Sequence, residues 1–215
     1  KSSDSEVESR PFVYIRWCDN LMESEITCGL ERFARKHGLA IRILNVHQSE
    51  DLLCDTLRLL PPDTTAVLVP IESSRVIDEL NAEIRRGVRI LQVDRYLNGV
   101  NAPSIVFDDY SVGALATRHL IRQANRPVWF FGYTHPISAQ KRYQGWADSM
   151  CESGFDRFSE YIIPCDNDNP LVEMRPQQFF LDAFRAFYRE HCEEPLSIFC
   201  IGDLLAFHVY TAAAE

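Results

Sequence analysis

Short apolar segments alternate along this chain with segments of helical period, and the apolar ones end on charged or polar residues. The middle third shows it best. Arg89-Ile-Leu-Gln-Val-Asp94 leads into Arg95, and Ser104-Ile-Val-Phe107 into Asp108-Asp109-Tyr110. A helical run from Ser111 to Ala124 follows, then Pro127-Val-Trp-Phe-Phe131 ending at Gly132. Such alternation predicts parallel pairing, because parallel neighbours need a crossover and the crossover helices cover the sheet. Open sheets of this kind bind ligands outside the carboxyl ends of their strands. The expectation is a binder of a small polar molecule.

At 215 residues the chain fits one large domain or two small lobes, and its 46% apolar content suffices for a buried core. The formal charge of −9 comes with no run of Lys and Arg, so the chain by itself lacks the basic face that nucleic acid requires. Seven cysteines (18, 28, 54, 151, 165, 192 and 200) are odd in number and show no metal spacing. Scattered, unpaired thiols suit a reducing cytoplasm. No apolar segment approaches the length needed to span a bilayer, and no membrane association is expected.

Residues 1–10 are polar and aperiodic and read as a disordered leader or linker remnant. Residues 11–95 form an N-terminal lobe. Its strands fall at 12–17, 39–46, 66–69 and 90–93, with helices between them closed by Gly38, Pro61-Pro62 and Gly87. Residues 96–103, carrying Gly99 and Pro103 without periodicity, read as a crossover between lobes. Residues 104–215 form the C-terminal lobe, with strands at 104–107, 127–132, 160–164 and 196–201 and helices at 111–124, 138–153, 177–191 and 204–214. Phe180, Phe184, Phe187 and Tyr188 mark a buried helix stripe. The fold class is α/β, two Rossmann-like lobes with parallel sheets flanked by helices. Ending on a helix after so few strands, it reads as cut short at the C-terminus.

No catalytic motif is present. The nine glycines give no GxGxxG or GxxxxGK phosphate cradle, and there is no GxSxG elbow. The six histidines lack a second ligand at metal spacing, so neither a metal nor a cofactor is expected, and the chain does not read as an enzyme. Of the Asp108-Asp109 pair, one carboxylate is expected to cap the following helix and the other to be a solvated turn residue. What accumulates instead is a set of polar residues at strand carboxyl ends. These are Trp17, Asp19, Glu72 and Asp94 in the first half, and His135, Ser138, Asp166, Asn167 and Asp203 in the second. Carboxylates and amides match hydroxyl groups, and an indole stacks on the apolar face of a sugar ring.

Several blocks resemble the effector-binding region of the LacI/GalR family. They are Gln92-Val-Asp-Arg95, Ser104-Ile-Val-Phe-Asp-Asp109, Gly113-Ala-Leu-Ala-Thr-Arg-His-Leu-Ile121, Ser138-Ala-Gln-Lys-Arg142-Tyr-Gln-Gly145-Trp, and Ile198-Phe-Cys-Ile-Gly-Asp203-Leu-Leu-Ala206. The resemblance implies a periplasmic-binding-protein-like module that closes on a small effector, with Arg142 as the main effector-gripping side chain and Asp203 as its partner. Ser138 lies in the pocket loop ahead of that arginine. Asp166 or Asn167 stands where family members often place a stacking aromatic, a role Trp17 would then supply. The family further implies a homodimer and a DNA-binding headpiece, which is absent from this sequence. The expected function is that of a ligand-sensing domain of a bacterial transcriptional regulator, taking a sugar or sugar derivative between its lobes. The alternative is an extracytoplasmic sugar-binding protein of a transport system, against which the seven cysteines argue.

Overall fold

The computed structural model of the protein describes residues 11–169, 172 and 175–215. The leader expected at 1–10 lies outside the described residues. The chain divides into two compact units, one ending at Phe107 and the next beginning at Asp108, each with its own buried core.

The first unit runs β1 (Phe12–Arg16), α1 (Leu21–His37), β2 (Ile41–Asn45), α2 (Glu50–Arg58), β3 (Thr65–Leu68), α3 (Ser74–Arg86), β4 (Arg89–Asp94) and β5 (Ser104–Val106). Its five strands pair in parallel in the order β2-β1-β3-β4-β5. The chain steps outward from β1 to β2 and then returns to the other side of β1, so the winding reverses beside β1. Val13, Ile15, Ala66, Leu68 and Ile90 of the sheet pack with Leu53 and Leu57 of α2 and Val76 and Leu80 of α3. Asn20 caps α1, its Oδ1 accepting the Glu23 N–H at 2.8 Å. Gly38 closes the same helix at φ 65°, a left-handed conformation that glycine takes without steric cost.

The boundary expected at 96–103 is corrected. That segment does not cross between units. Leu97 is buried in the first core with Val100 and Ala102 packed beside it, and the Leu97 N–H donates to the buried Gln92 side chain at 2.9 Å. The strand after it is not the first of the second lobe but the fifth of the first sheet, in register Gln92↔Ser104, Val93↔Ile105 and Asp94↔Val106. Parallel hydrogen bonding to β4 decides its membership, which apolar content alone cannot do.

The second unit comprises α4 (Asp109–Ala124), β6 (Trp129–Phe131), α5 (Ile137–Glu152), a 3₁₀ turn (Phe158–Tyr161), α6 (Gln177–His191), β7 (Ile198–Cys200) and α7 (Asp203–Ala213). β6 and β7 pair in parallel. The strand expected at 160–164 is a 3₁₀ turn followed by a single bridge, Phe130↔Ile162. Ile163 N–H reaches the Phe130 carbonyl, but Asn167 holds the Ile163 carbonyl and Pro164 has no N–H to give, so no ladder extends. The aromatic stripe behaves as expected. Phe180, Phe184 and Phe187 are buried against Phe131 and Trp129, and Tyr188 stacks on Phe184. Trp146 is wholly buried and donates its indole N–H to the Val128 carbonyl at 2.8 Å.

Candidate functional site

In the second unit Arg142 is held by Asp109 and by the backbone just past β7. It lies in the second turn of α5, after a loop from β6 that carries His135; Ser138, expected in that loop, instead sits in the first turn of α5. Arg142 Nε donates to Asp109 Oδ1 at 2.7 Å and its Nη1 to the Ile201 carbonyl, just past β7, at 2.8 Å. These two bonds fix the plane of the guanidinium and leave Nη2 uncommitted among the described residues. Asp203 opens α7 two residues beyond that carbonyl, and its exposed carboxylate makes no hydrogen bond or ion pair among the described residues.

Asp109 is the residue that sequence reasoning missed. Expected as a capping or solvated carboxylate, it is 4% exposed and forms the ion pair with Arg142. Its neighbour Asp108 does the capping, with the carboxylate accepting the Ser111 N–H at 3.1 Å. Bonding to Ser111 holds the Asp108 carboxyl below its ordinary value. The capping half of the expectation thus falls to Asp108, while the solvated half fails, because the first turn of α4 points Asp109 toward α5. α4 and α5 touch through glycine. A Cβ at Gly113 would stand 2.1 Å from the Arg142 carbonyl oxygen, and one at Gly145 2.2 Å from the Tyr110 carbonyl oxygen. The blocks that carry Gly113 and Gly145 thus hold Asp109 and Arg142 together.

Asp166 and Asn167 serve their own loop. Asp166 pairs with Arg175 at 2.9 Å and accepts from Asn169, contacts that keep its carboxyl below the ordinary range. Asn167 donates to the Gly132 and Ile163 carbonyls, and its own carbonyl accepts the Thr134 N–H at 2.9 Å. It therefore ties this loop to the end of β6. Thr134 also donates its hydroxyl to the exposed Asp168. His135 is half-buried and precedes the cis-linked Pro136.

In the first unit, Trp17 and Asp19 line a cavity of about 250 Å³ at the carboxyl ends of β1 and β2, together with Arg16, Asn45 and His47. The Trp17 carbonyl accepts the Gln48 N–H at 2.8 Å, which joins the two loops. Asp19 pairs with Arg16 at 3.1 Å. Glu72, exposed after β3, and Asp94, at the end of β4 with φ 68°, do not line this cavity. Glu23 was also missed. It is 1% exposed, and its carboxylate accepts the Tyr14 hydroxyl and, at 3.2 Å, the Trp17 N–H. Burial pushes its carboxyl above the ordinary value despite those bonds. The Asn20-x-x-Glu23 spacing of a capping box was the signal available in the sequence.

A larger cavity, about 720 Å³, opens at the amino ends of β6 and β7, between Trp129, Tyr161 and His191. It lies at the strand ends opposite Arg142, where open α/β sheets do not place their ligands. Among the described residues no group of His, Cys, Asp or Glu is arranged to hold a metal ion, and no helix is long and apolar enough to cross a membrane.

Two α/β units with parallel strands, and an arginine clamped where the strands end, define a ligand-binding module of the periplasmic-binding-protein type. Residues 19–215 match the model of periplasmic binding proteins and the sugar binding domain of the LacI family. The chain belongs to that family, one of ligand-binding domains and not of enzymes. It is 29% identical over 127 residues to the HTH-type transcriptional regulator GalR of Escherichia coli K12, covering 58% of this chain and 37% of GalR. It is 21% identical over 193 residues to the transcriptional repressor PurR of Glaesserella parasuis, covering 89% of this chain and 54% of that protein. The chain thus spans about half or less of the length of these curated relatives. Among solved structures, a solute binding protein from Clostridium phytofermentans with bound β-D-glucose superposes with a TM-score of 0.74 at 15% identity, covering 94% of this chain and 68% of that one. A transcription regulator from Lactobacillus plantarum gives 0.71 at 19% identity, covering 94% and 70%.

Proposed function

We propose that this chain is the effector-sensing domain of a cytoplasmic, dimeric transcriptional regulator, and that the effector is a sugar or sugar derivative. Arg142 grips it, with Ser138 and Asp203 contributing hydrogen bonds in the second unit; Trp17 and Asp19 are the ligand-binding candidates of the first unit. The observation that carries this reading is the clamped guanidinium. Two fixed bonds preorganise Arg142 so that little side-chain entropy is lost when a ligand is bound. Effector binding biases the domain between two arrangements by no more than its differential affinity for them. DNA binding belongs to a headpiece, since this domain's charge of −9 opposes phosphate.

A thermal-shift and calorimetric screen against pentoses, hexoses, sugar phosphates and nucleobases tests it, repeated with Arg142→Lys. Lysine keeps a charge beside Asp109 but lacks the planar fork. A ligand that raises the melting temperature of the native chain and binds the variant at least about tenfold more weakly supports the reading. A ligand that binds both proteins equally removes Arg142 from the site.

A further inference from the structure

Arg142 does not present a bare cation. Its Nε is held by a carboxylate that is 4% exposed, at 2.7 Å, so the positive charge is compensated before any ligand arrives. The other charged groups at these strand ends do not restore it. Arg175 is taken by Asp166, and Lys141, the residue before Arg142, acts on Asp108. Asp168 and Asp203 are exposed carboxylates, and neither has an ion-pair partner among the described residues. Asp168 and Asp203 thus add unpaired negative charge at these strand ends, where Arg142 Nη2 is still free to donate. An anion brought there would meet carboxylates and only a spent cation, whereas a hydroxyl group can accept from Nη2 and donate to a carboxylate.

We propose that Asp109 determines the specificity of this site, pairing with Arg142 so that the site selects neutral, hydroxyl-bearing ligands and rejects their phosphate esters. The proposal rests on the reading of Arg142 as a ligand contact. It differs from a merely structural role for Asp109, because the repulsive element against anions is the same carboxylate that orients the guanidinium. Neutralising Asp109 then reverses the preference and does not simply weaken everything. Asparagine keeps an oxygen for Arg142 Nε and removes the charge.

The test measures binding by calorimetry to the native chain, Asp109→Asn, Asp109→Glu, Arg142→Lys and Asp109→Asn/Arg142→Gln. The probes are glucose with glucose 6-phosphate, ribose with ribose 5-phosphate, myo-inositol with its 1-phosphate, and inorganic phosphate. Melting temperature and circular dichroism report on folding. The native chain is expected to bind the neutral member of a pair at least about tenfold more tightly than its phosphate. Asp109→Asn should shift that ratio toward the phosphate by at least about tenfold, Asp109→Glu should retain the native preference, and the double variant should lose the gain. A native chain that prefers the phosphate, or an Asp109→Asn variant that loses both members equally, overturns the inference. Native binding that is unchanged in Arg142→Lys overturns instead the assignment of Arg142 to the ligand. If the native chain binds no member of any pair, the sugar reading falls and inorganic phosphate decides the inference. Binding to Asp109→Asn alone supports it, and an equal response in both proteins overturns it.

Discussion

Gly113 of α4 lies against the backbone of Arg142 in α5 so closely that a methyl group on it would stand 2.1 Å from the Arg142 carbonyl oxygen. Gly145 makes the reciprocal approach to the Tyr110 carbonyl, and Ser149 donates to the Ala114 carbonyl at 3.4 Å farther along the crossing. This contact sets the separation at which Asp109 and Arg142 meet. Because the obstructing atoms are backbone, no side chain can swing aside. Gly113→Ala should therefore cost about 3 kcal/mol or more in chemical denaturation, at the upper end of overpacking effects. A cost below about 1 kcal/mol would show that the helices separate easily.

Arg142→Ala is expected to destabilise the second unit as well as remove a ligand contact. It strips the buried Asp109 carboxylate and the Ile201 carbonyl of their donors. Removing one member of a buried pair costs about 3–5 kcal/mol, and the partial exposure of Arg142 brings the expectation to about 2–3 kcal/mol. Denaturation of Arg142→Ala beside Arg142→Lys separates the two effects, with the lysine variant retaining most of the native stability.

Glu23 gives the first unit a pH signature. Burial raises its carboxyl above the ordinary value, so the folded chain holds that proton more tightly than the unfolded chain does. Its contribution is fully present below the ordinary carboxyl value of about 4.3 and is lost as pH rises through the folded one. Asp108, Asp166 and Glu215 shift the opposite way through their hydrogen bonds, so the difference between variants is the useful quantity. The native melting temperature should fall relative to that of Glu23→Gln as pH is raised from about 4 to about 7. Parallel curves for the two proteins would contradict this.

The thiols should divide by reactivity. Cys28, Cys151 and Cys192 are exposed, whereas burial pushes the Cys165 thiol up to about 11 and the Cys200 thiol up to about 12. Because the thiolate is the nucleophile, a disulfide reagent at neutral pH should label the exposed three fast. Cys165 should react only on unfolding, as should Cys54, which is fully buried. The half-buried Cys200 should react far more slowly than the exposed three because its thiol stays protonated. Peptide mapping of the labelled protein identifies the sites, and rapid labelling of Cys165 or Cys200 would contradict the packing.

The alternating strands and helices, the stops at Gly38 and Gly87, the Phe180-Phe184-Phe187 stripe and the Arg142 block were all legible in the sequence. Each is a local pattern, written in periodicity, in a residue free to take positive φ, or in a contiguous motif. Less legible was anything that depended on which strand found which neighbour. Ser104–Val106 looks like any short apolar strand, and only its ladder with β4 assigns it to the first sheet. Ile162 and Ile163 read as a strand until Pro164 and the Asn167 side chain remove the partners a ladder needs.

The same division runs through the site. By itself the sequence determined that this chain winds into parallel α/β units with polar strand ends, because crossover helices and buried strands demand those periodicities. It also supplied Asp203 at such an end, and the family resemblance singled out Arg142. Tertiary structure alone decided that Asp109, one of two adjacent aspartates, turns inward to neutralise Arg142 while Asp108 stays at the surface as a cap. Two neighbouring carboxylates are chemically alike in the chain. They become different only when a glycine-mediated helix contact leaves a half-buried cation beside one of them.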